Sequence, residues 1–314
     1  MRAVTIRDGN LSVEDHPDPV PGAGEVLVRV RAAGLNGADM MQRRGFYPAP
    51  PGAPQDIPGL ELAGEVLECG PGADRFSEGD RVMGIVAGGG QAELAVVHER
   101  ILMRVPESLG WVEAGAVPET FTTAHDGVFT QAGLRPGERL LVHGGAGGVG
   151  TAAIQLGRAS GARVTATVRN VDHRSAVAEL GAEVIAPEEF VDHGPFDVIL
   201  ELVGGPNMPG NLEALGIWGR IMVIGISAGA KAEVNLGLAM QRRARILNST
   251  LRPRPLEEKA ITARAMERSV LPLLASGAVG VLIAETYPLE DAVAAYDRFA
   301  DGGKLGNIVL TMGG

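Results

Sequence analysis

The sequence contains one cysteine, Cys69, among 314 residues. A lone thiol forms no intrachain disulfide and no thiolate cluster for structural zinc, which points to a reducing, cytoplasmic setting. Runs of Lys or Arg are also missing, and the formal charge of −10 repels phosphate backbones and anionic membrane surfaces. Nucleic acid is therefore not an expected partner. No stretch of about 18 apolar residues is present. The opening Met1-Arg2-Ala3-Val4-Thr5-Ile6, with Asp8 close behind, lacks the apolar segment of a secretory signal. The expectation is a cytoplasmic protein without membrane contact.

What is present describes a folded chain. Hydrophobic residues make up 45% and charged residues 21%, a balance that favours a packed core over disorder. The length exceeds the roughly 100 to 200 residues of one domain, so two cores are expected. Up to about residue 118 the chain reads as a compact all-β lobe built of short β-rich runs. Glu25-Val26-Leu27-Val28-Arg29-Val30-Arg31 alternates with a period of two, and Gly and Pro punctuate the runs. The proline-dense Tyr47 to Pro54 predicts a surface loop near whatever the lobe binds.

From about residue 120 apolar strands alternate with Ala-rich helices. Strands are predicted at Arg139 to His143, Arg163 to Val168, Glu183 to Ile185, Asp197 to Glu201, Arg220 to Ile224 and Ile246 to Ser249, with a helix beginning at Gly150. That succession predicts βαβ units and a doubly wound parallel sheet. Beyond Pro253-Arg254-Pro255 a helical stretch leads to a closing strand, Asn307 to Thr311, which returns to the first lobe. The fold class is α/β.

Between the strand Leu140-Leu141-Val142 and the helix Thr151 to Leu156 lies His143-Gly144-Gly145-Ala146-Gly147-Gly148-Val149-Gly150. Gly145-x-Gly147-x-x-Gly150 in that strand-to-helix context is the dinucleotide fingerprint. Its glycines permit a tight turn, close backbone approach to the pyrophosphate and close strand-helix packing, and the helix amides stabilise the anion. A NAD-specific domain places Asp or Glu about 20 residues on. Here that place holds Arg169 and Asn170, with His173 and Arg174 following, so cations are available for a 2′-phosphate and NADPH is the expected cofactor.

At this point the chain resembles, nearly end to end, the zinc-independent quinone oxidoreductase (zeta-crystallin-like) branch of the medium-chain dehydrogenase/reductase superfamily. The motifs carrying the resemblance are Gly34-Leu35-Asn36-Gly37-Ala38-Asp39, Arg43-Arg44-Gly45-Phe46-Tyr47-Pro48 and Pro58-Gly59-Leu60-Glu61. Gly79-Asp80-Arg81-Val82, the glycine loop and Gly219 to Gly225 complete the set. The resemblance implies a GroES-like catalytic domain over residues 1–120, a Rossmann NADP-binding domain over 121–252, and a segment 253–314 returning to the catalytic domain. It further implies an active cleft between the two domains and a homodimer. Zinc-dependent relatives use a Cys near the position of Asn36 and a His at that of Leu60. With these replacements, one cysteine and six histidines at no ligand spacing, no metal is expected.

Residue by residue, the resemblance assigns catalytic positions to Asn36, Asp39 and Tyr47, with Met41 and Arg43 in the substrate pocket. Met41 stands where many bacterial quinone reductases carry a second tyrosine, and a thioether cannot donate a hydrogen bond to a carbonyl. Cofactor positions fall on Thr123, on Gly145, Ala146, Gly147, Gly148, Val149 and Gly150, and on Arg169, Asn170, His173 and Arg174. They continue with Val203, Gly204, Ile224, Gly225, Ile226, Lys304 and Asn307. The implied reaction is hydride transfer from NADPH to a quinone or conjugated enone. Two alternatives stay open: reduction of an enoyl thioester, and a non-catalytic NADPH-binding structural or regulatory role.

Overall fold

The computed structural model describes residues 1–313 and divides into two compact units, Met1–Thr122 with Leu251–Gly314, and Thr123–Thr250. The first begins with an antiparallel pair, β1 (Arg2–Arg7) and β2 (Asn10–Asp15). Strand β3 (Glu25–Leu35) follows, burying Val26, Val28 and Val30 on one face before it becomes buried throughout from Ala32. The change of pattern has a cause. Its first half pairs with β6 (Leu94–His98) and its last four residues with the closing strand, while β4 (Glu61–Cys69) covers the other edge. A short helix, Gly37–Arg43, leaves the end of β3, so the lobe is β-rich but not purely β. Strands β5 (Arg81–Ile85) and β7 (Leu102–Arg104) extend the sheet beyond β4.

The second unit is a six-stranded, all-parallel sheet. It comprises β8 (Arg139–Val142), β9 (Arg163–Thr167), β10 (Glu183–Ile185), β11 (Phe196–Glu201), β12 (Leu215–Val223) and β13 (Arg245–Asn248), in the order β10-β9-β8-β11-β12-β13. Leu140, Leu141, Val198, Ile199 and Leu200 have no exposed surface. Central strands covered on both faces carry such unbroken apolar runs, each side chain contributing about 1.5 to 3 kcal/mol on burial. The winding reverses between β8 and β11, and the carboxyl ends flanking such a switch point are where open α/β sheets bind ligands.

The expected strand bounds hold within a residue or two except at β3, which runs four residues past Arg31 to Leu35, and at β12, which begins at Leu215, five residues before Arg220. Trp218 there has a positive φ of 66°, and the pairing with β11 shifts register between Phe196 and Val198. The chain then returns through the helix Leu256–Ser269 to β14 (Ile283–Pro288), the helix Ala292–Asp301 and β15 (Asn307–Thr311). Strand β15 pairs antiparallel with β3 and parallel with β14. Tyr296, Ile308 and Leu310 thereby join Val26, Val28 and Leu62 in the core of the first unit.

Candidate active site

The glycine loop leaves β8 at its carboxyl end. Gly144 takes a φ of 69°, and the turn closes when the Gly147 amide bonds the Gly144 carbonyl at 3.1 Å. The helix Gly148–Ala159 starts there, two residues earlier than expected, with Gly147 as its N-cap, no capping side chain and no acid in its first turn. Its leading amides have no intrahelical acceptor and form the positive end of the helix dipole. A Cβ at Gly150 would collide with the Gly144 carbonyl oxygen, and one at Gly145 would stand 2.9 Å from the Ala166 Cβ. At Gly147 the one atom within 4 Å is the Gly144 oxygen, at 3.5 Å. The cradle is closed behind and open in front, which fits a diphosphate approached by backbone amides.

Beneath the loop lies a buried polar chain. His143 Nδ1 is 3.1 Å from the Thr167 hydroxyl and His143 Nε2 is 2.8 Å from Asn211 Oδ1. The Asn211 amide donates to Glu201 Oε2 at 2.7 Å. The other oxygen of Glu201 accepts the Val203 and Gly204 amides at 2.6 and 2.8 Å. Burial pushes the His143 pKa down, against the opposing pull of Glu201 and the Asn211 bond, so its ring is held neutral.

The expected cofactor positions that follow β9, β11 and β12 lie at the carboxyl end of the same sheet. Arg169 follows β9 and is exposed, and Asn170 caps the next turn by accepting the Asp172 amide. His173 lies in that turn, while Arg174 Nε is tied to the Val168 carbonyl at 3.0 Å. The Val203–Gly204 turn packs beside Ile224, Gly225 and Ile226. The Ile224 and Gly225 amides both bond the Glu201 carbonyl at 3.0 Å, and Ile226 is 44% exposed. Thr123 is buried in the second half of the helix Pro118–His125.

In the first unit Asn36 precedes the helix Gly37–Arg43 and is 8% exposed. Its carboxamide donates to Glu61 Oε1 at 2.7 Å, and Glu61 Oε2 accepts the Glu119 amide at 2.8 Å. A side chain at Gly34 would strike the Glu61 carboxyl, so the glycine makes room for it. Burial raises the Glu61 pKa to about 8 against those two bonds, with Glu119 and Asp39 adding to the rise. Asp39 has no exposed surface and accepts the Asn36 and Gly59 amides at 2.9 and 3.2 Å. Burial raises it to about 6. Gln91 donates to Asp39 at 3.4 Å and accepts the Tyr296 hydroxyl at 2.8 Å.

Tyr47 is half-buried. The Arg252 guanidinium stands 5.2 Å from its ring and bonds the carbonyls of Tyr47 and Ala87 and the Gln42 side chain at 2.7 to 2.8 Å. Desolvation raises the Tyr47 pKa, keeping its hydroxyl a donor at neutral pH. Met41 is half-buried. Arg43 turns to the Gly9 carbonyl at 3.1 Å and to Asp297 at 3.6 Å. Lys304, lowered to about 8 by burial, bonds the Gly306 carbonyl, and the Asn307 amide bonds that of Leu282.

Glu201, Asn211, Gln91, Arg252 and Tyr296 were not singled out by the sequence. The available signal was an acid inside an apolar run, in Val198-Ile199-Leu200-Glu201-Leu202 and Leu60-Glu61-Leu62-Ala63. Among the described residues no group of three or more His, Cys, Asp or Glu is arranged to hold a metal.

Residues 22–107 match the alcohol dehydrogenase GroES-like domain family and residues 148–267 the zinc-binding dehydrogenase family. The chain is 31% identical to quinone oxidoreductase of Rattus norvegicus, over 94% of this chain and 91% of the rat protein. It is 30% identical to acryloyl-coenzyme A reductase of Metallosphaera sedula, over 99% and 100%. An alcohol dehydrogenase superfamily protein from Novosphingobium aromaticivorans superposes with a TM-score of 0.88 at 28% identity, covering 99% of this chain and 98% of that one. With a glycine loop at the switch point of a parallel sheet, a GroES-like first unit and full-length relatives at 30% identity and above, the chain belongs to the medium-chain dehydrogenase/reductase superfamily, whose members use a nicotinamide cofactor.

Proposed function

We propose that the protein is an NADPH-dependent oxidoreductase that reduces a quinone or conjugated enone without a metal. The observation that carries this reading is the Asn36–Glu61 pair, an amide held by a buried carboxyl, at the position the family resemblance equates with a ligand of zinc-dependent relatives. When bound, the reduced nicotinamide supplies the hydride, and a proton completes the two-electron reduction of the acceptor. The chain's part is to hold the dinucleotide on Gly145 to Gly150, to orient the acceptor, and to donate hydrogen bonds to the oxygen on which charge develops. Asn36 and Tyr47 are the assigned donors. Asp39, fully buried, positions Asn36 through its backbone amide. Residues 1–120 with 253–314 act as the catalytic domain and 121–252 as the NADP-binding domain.

Arg169 supports NADPH over NADH, since an exposed guanidinium takes the place of the ribose-binding acid. Reduction of an enoyl thioester is the second reading, favoured by the full-length likeness to acryloyl-coenzyme A reductase. A homodimer is part of the proposal. Strand β13 is an open sheet edge, and Ile217, Trp218, Leu236, Met240 and Ile246 are 40 to 78% exposed in the same unit.

The deciding experiment follows NADPH and NADH oxidation in parallel with a naphthoquinone and with crotonyl-coenzyme A. Turnover of the quinone with NADPH is expected; turnover confined to the thioester favours the second reading, and none with either defeats both. Light scattering of Ile246→Lys should report a monomer where the unsubstituted chain is a dimer.

A further inference from the structure

The polar chain under the glycine loop has a fixed direction. Glu201 Oε2 can only accept from Asn211, so the Asn211 amide group faces Glu201 and its Oδ1 faces His143. His143 Nε2 must then carry the hydrogen. In a neutral ring Nδ1 is left as an acceptor, and the Thr167 hydroxyl must donate to it. The lone pairs of that hydroxyl remain for the Gly144 amide, 3.4 Å away. One end of the chain therefore sits under the first glycine of the loop, and the other end, through Glu201 Oε1, holds the amides of Val203 and Gly204.

We infer that Thr167, His143 and Asn211 act as positioning residues for the dinucleotide, joining the pyrophosphate loop at β8 to the Val203–Gly204 turn at β11 so that both segments are set as one unit. The inference rests on the glycine loop being the nicotinamide-dinucleotide cradle. His143, Asn211 and Glu201 are at most 1% exposed, so they act through the backbone they support and not by touching the cofactor. Phe190 packs edge-on against the His143 ring at 4.7 Å, and the His143 amide bonds the Leu200 carbonyl at 3.0 Å. The ring therefore has little freedom to reorient. A cradle built from backbone amides offers no side chain to adjust at the ligand, so its affinity depends on how well the backbone is held.

The test measures NADPH dissociation constants for Thr167→Val, Asn211→Leu and the double variant, with Thr167→Ser as the conservative control. Each single change is expected to weaken NADPH about tenfold, the scale set by one lost buried hydrogen bond. The double variant should lose little more than either single one, because both cut the same chain. Thr167→Ser should stay within about twofold, and the loss should fall on KM for NADPH and not on kcat. Unchanged dissociation constants with a lowered Tm would show that the chain holds only the fold, and additive losses would show two independent supports. A measurement without variants adds to these. In hydrogen–deuterium exchange of the unsubstituted protein, NADPH should protect the amides of Gly144 to Gly150 and of Val203 and Gly204 together, and protection limited to the loop would overturn the inference. If the unsubstituted protein binds neither NADPH nor NADH, the cradle reading itself falls, an outcome distinct from normal binding that the variants leave untouched.

Discussion

Glu61 and Glu201 are two acids in comparable places, each at an end of an apolar strand and each at most 1% exposed, and the two units treat them differently. Glu201 collects the amides of Val203 and Gly204 and the side chains of Asn207 and Asn211. Glu61 collects two donors, the Asn36 side chain and the Glu119 amide, and burial drives its pKa to about 8. A saturated carboxylate fixes structure, because every change of its state breaks several bonds. A buried one with fewer donors to offset its desolvation keeps its proton towards neutral pH.

The contrast breaks most visibly at Glu201. Glu201→Gln leaves one acceptor oxygen facing donors that now include the new amide, and a buried donor without a partner costs about 1 to 3 kcal/mol. A loss of about 3 kcal/mol is expected in chemical denaturation. A cost below about 1 kcal/mol would remove the distinction between the two acids.

Glu61 is expected to act through pH. Its folded value lies above the ordinary 4.5, so the protonated form is favoured in the native state. The stability this confers is complete below about pH 4.5 and is lost as pH rises towards 8. Glu61→Gln has no proton to lose, so its stability relative to the unsubstituted chain should climb through that window, by at most about 1.4 kcal/mol per pH unit. Parallel denaturation curves at all pH values would sink this account.

How much of this was readable beforehand follows from sequence distance. The sequence places β15 at Asn307 to Thr311, the bounds it has in the fold, and β8 to within a residue, because apolar period and turn residues are local signals. The start of the helix at Gly148 was not readable, since glycines carry no helical propensity and the start is set by the loop closing on Gly144. The sequence pattern shortens β12 because Gly216 and Gly219 interrupt its apolar run before Arg220. In the candidate site, Asn36 and the glycine loop were legible as motifs. The Gln91–Tyr296 and Gln42–Arg252 bonds join residues 205 and 210 positions apart, which no local pattern reveals.

Asn36 sharpens the comparison from the acceptor side. Asn36→Ala removes one of the two donors to Glu61 and the amide assigned to the acceptor oxygen. A fall of about twentyfold in kcat/KM for the acceptor is expected, within the range of a lost hydrogen bond to developing charge. KM for NADPH should hardly move. If it rises as much as kcat/KM falls, Asn36 does not belong to the acceptor.

The smallest effect is expected at Arg169, where the second unit relies on a solvent-facing charge instead of buried bonds. Arg169→Asp replaces the proposed partner of a 2′-phosphate with a charge that repels it, while leaving the ribose hydroxyls of NADH an acceptor. Solvent screening limits the change, and about tenfold weaker NADPH binding is expected at 0.1 M salt, shrinking as salt is raised. NADH should move less than twofold or improve. Since no buried hydrogen bond is touched, Tm should stay put, in contrast to Glu201→Gln. Equal weakening of both dinucleotides would mean that Arg169 does not read the 2′-phosphate, and the proposed preference for NADPH would fall with it.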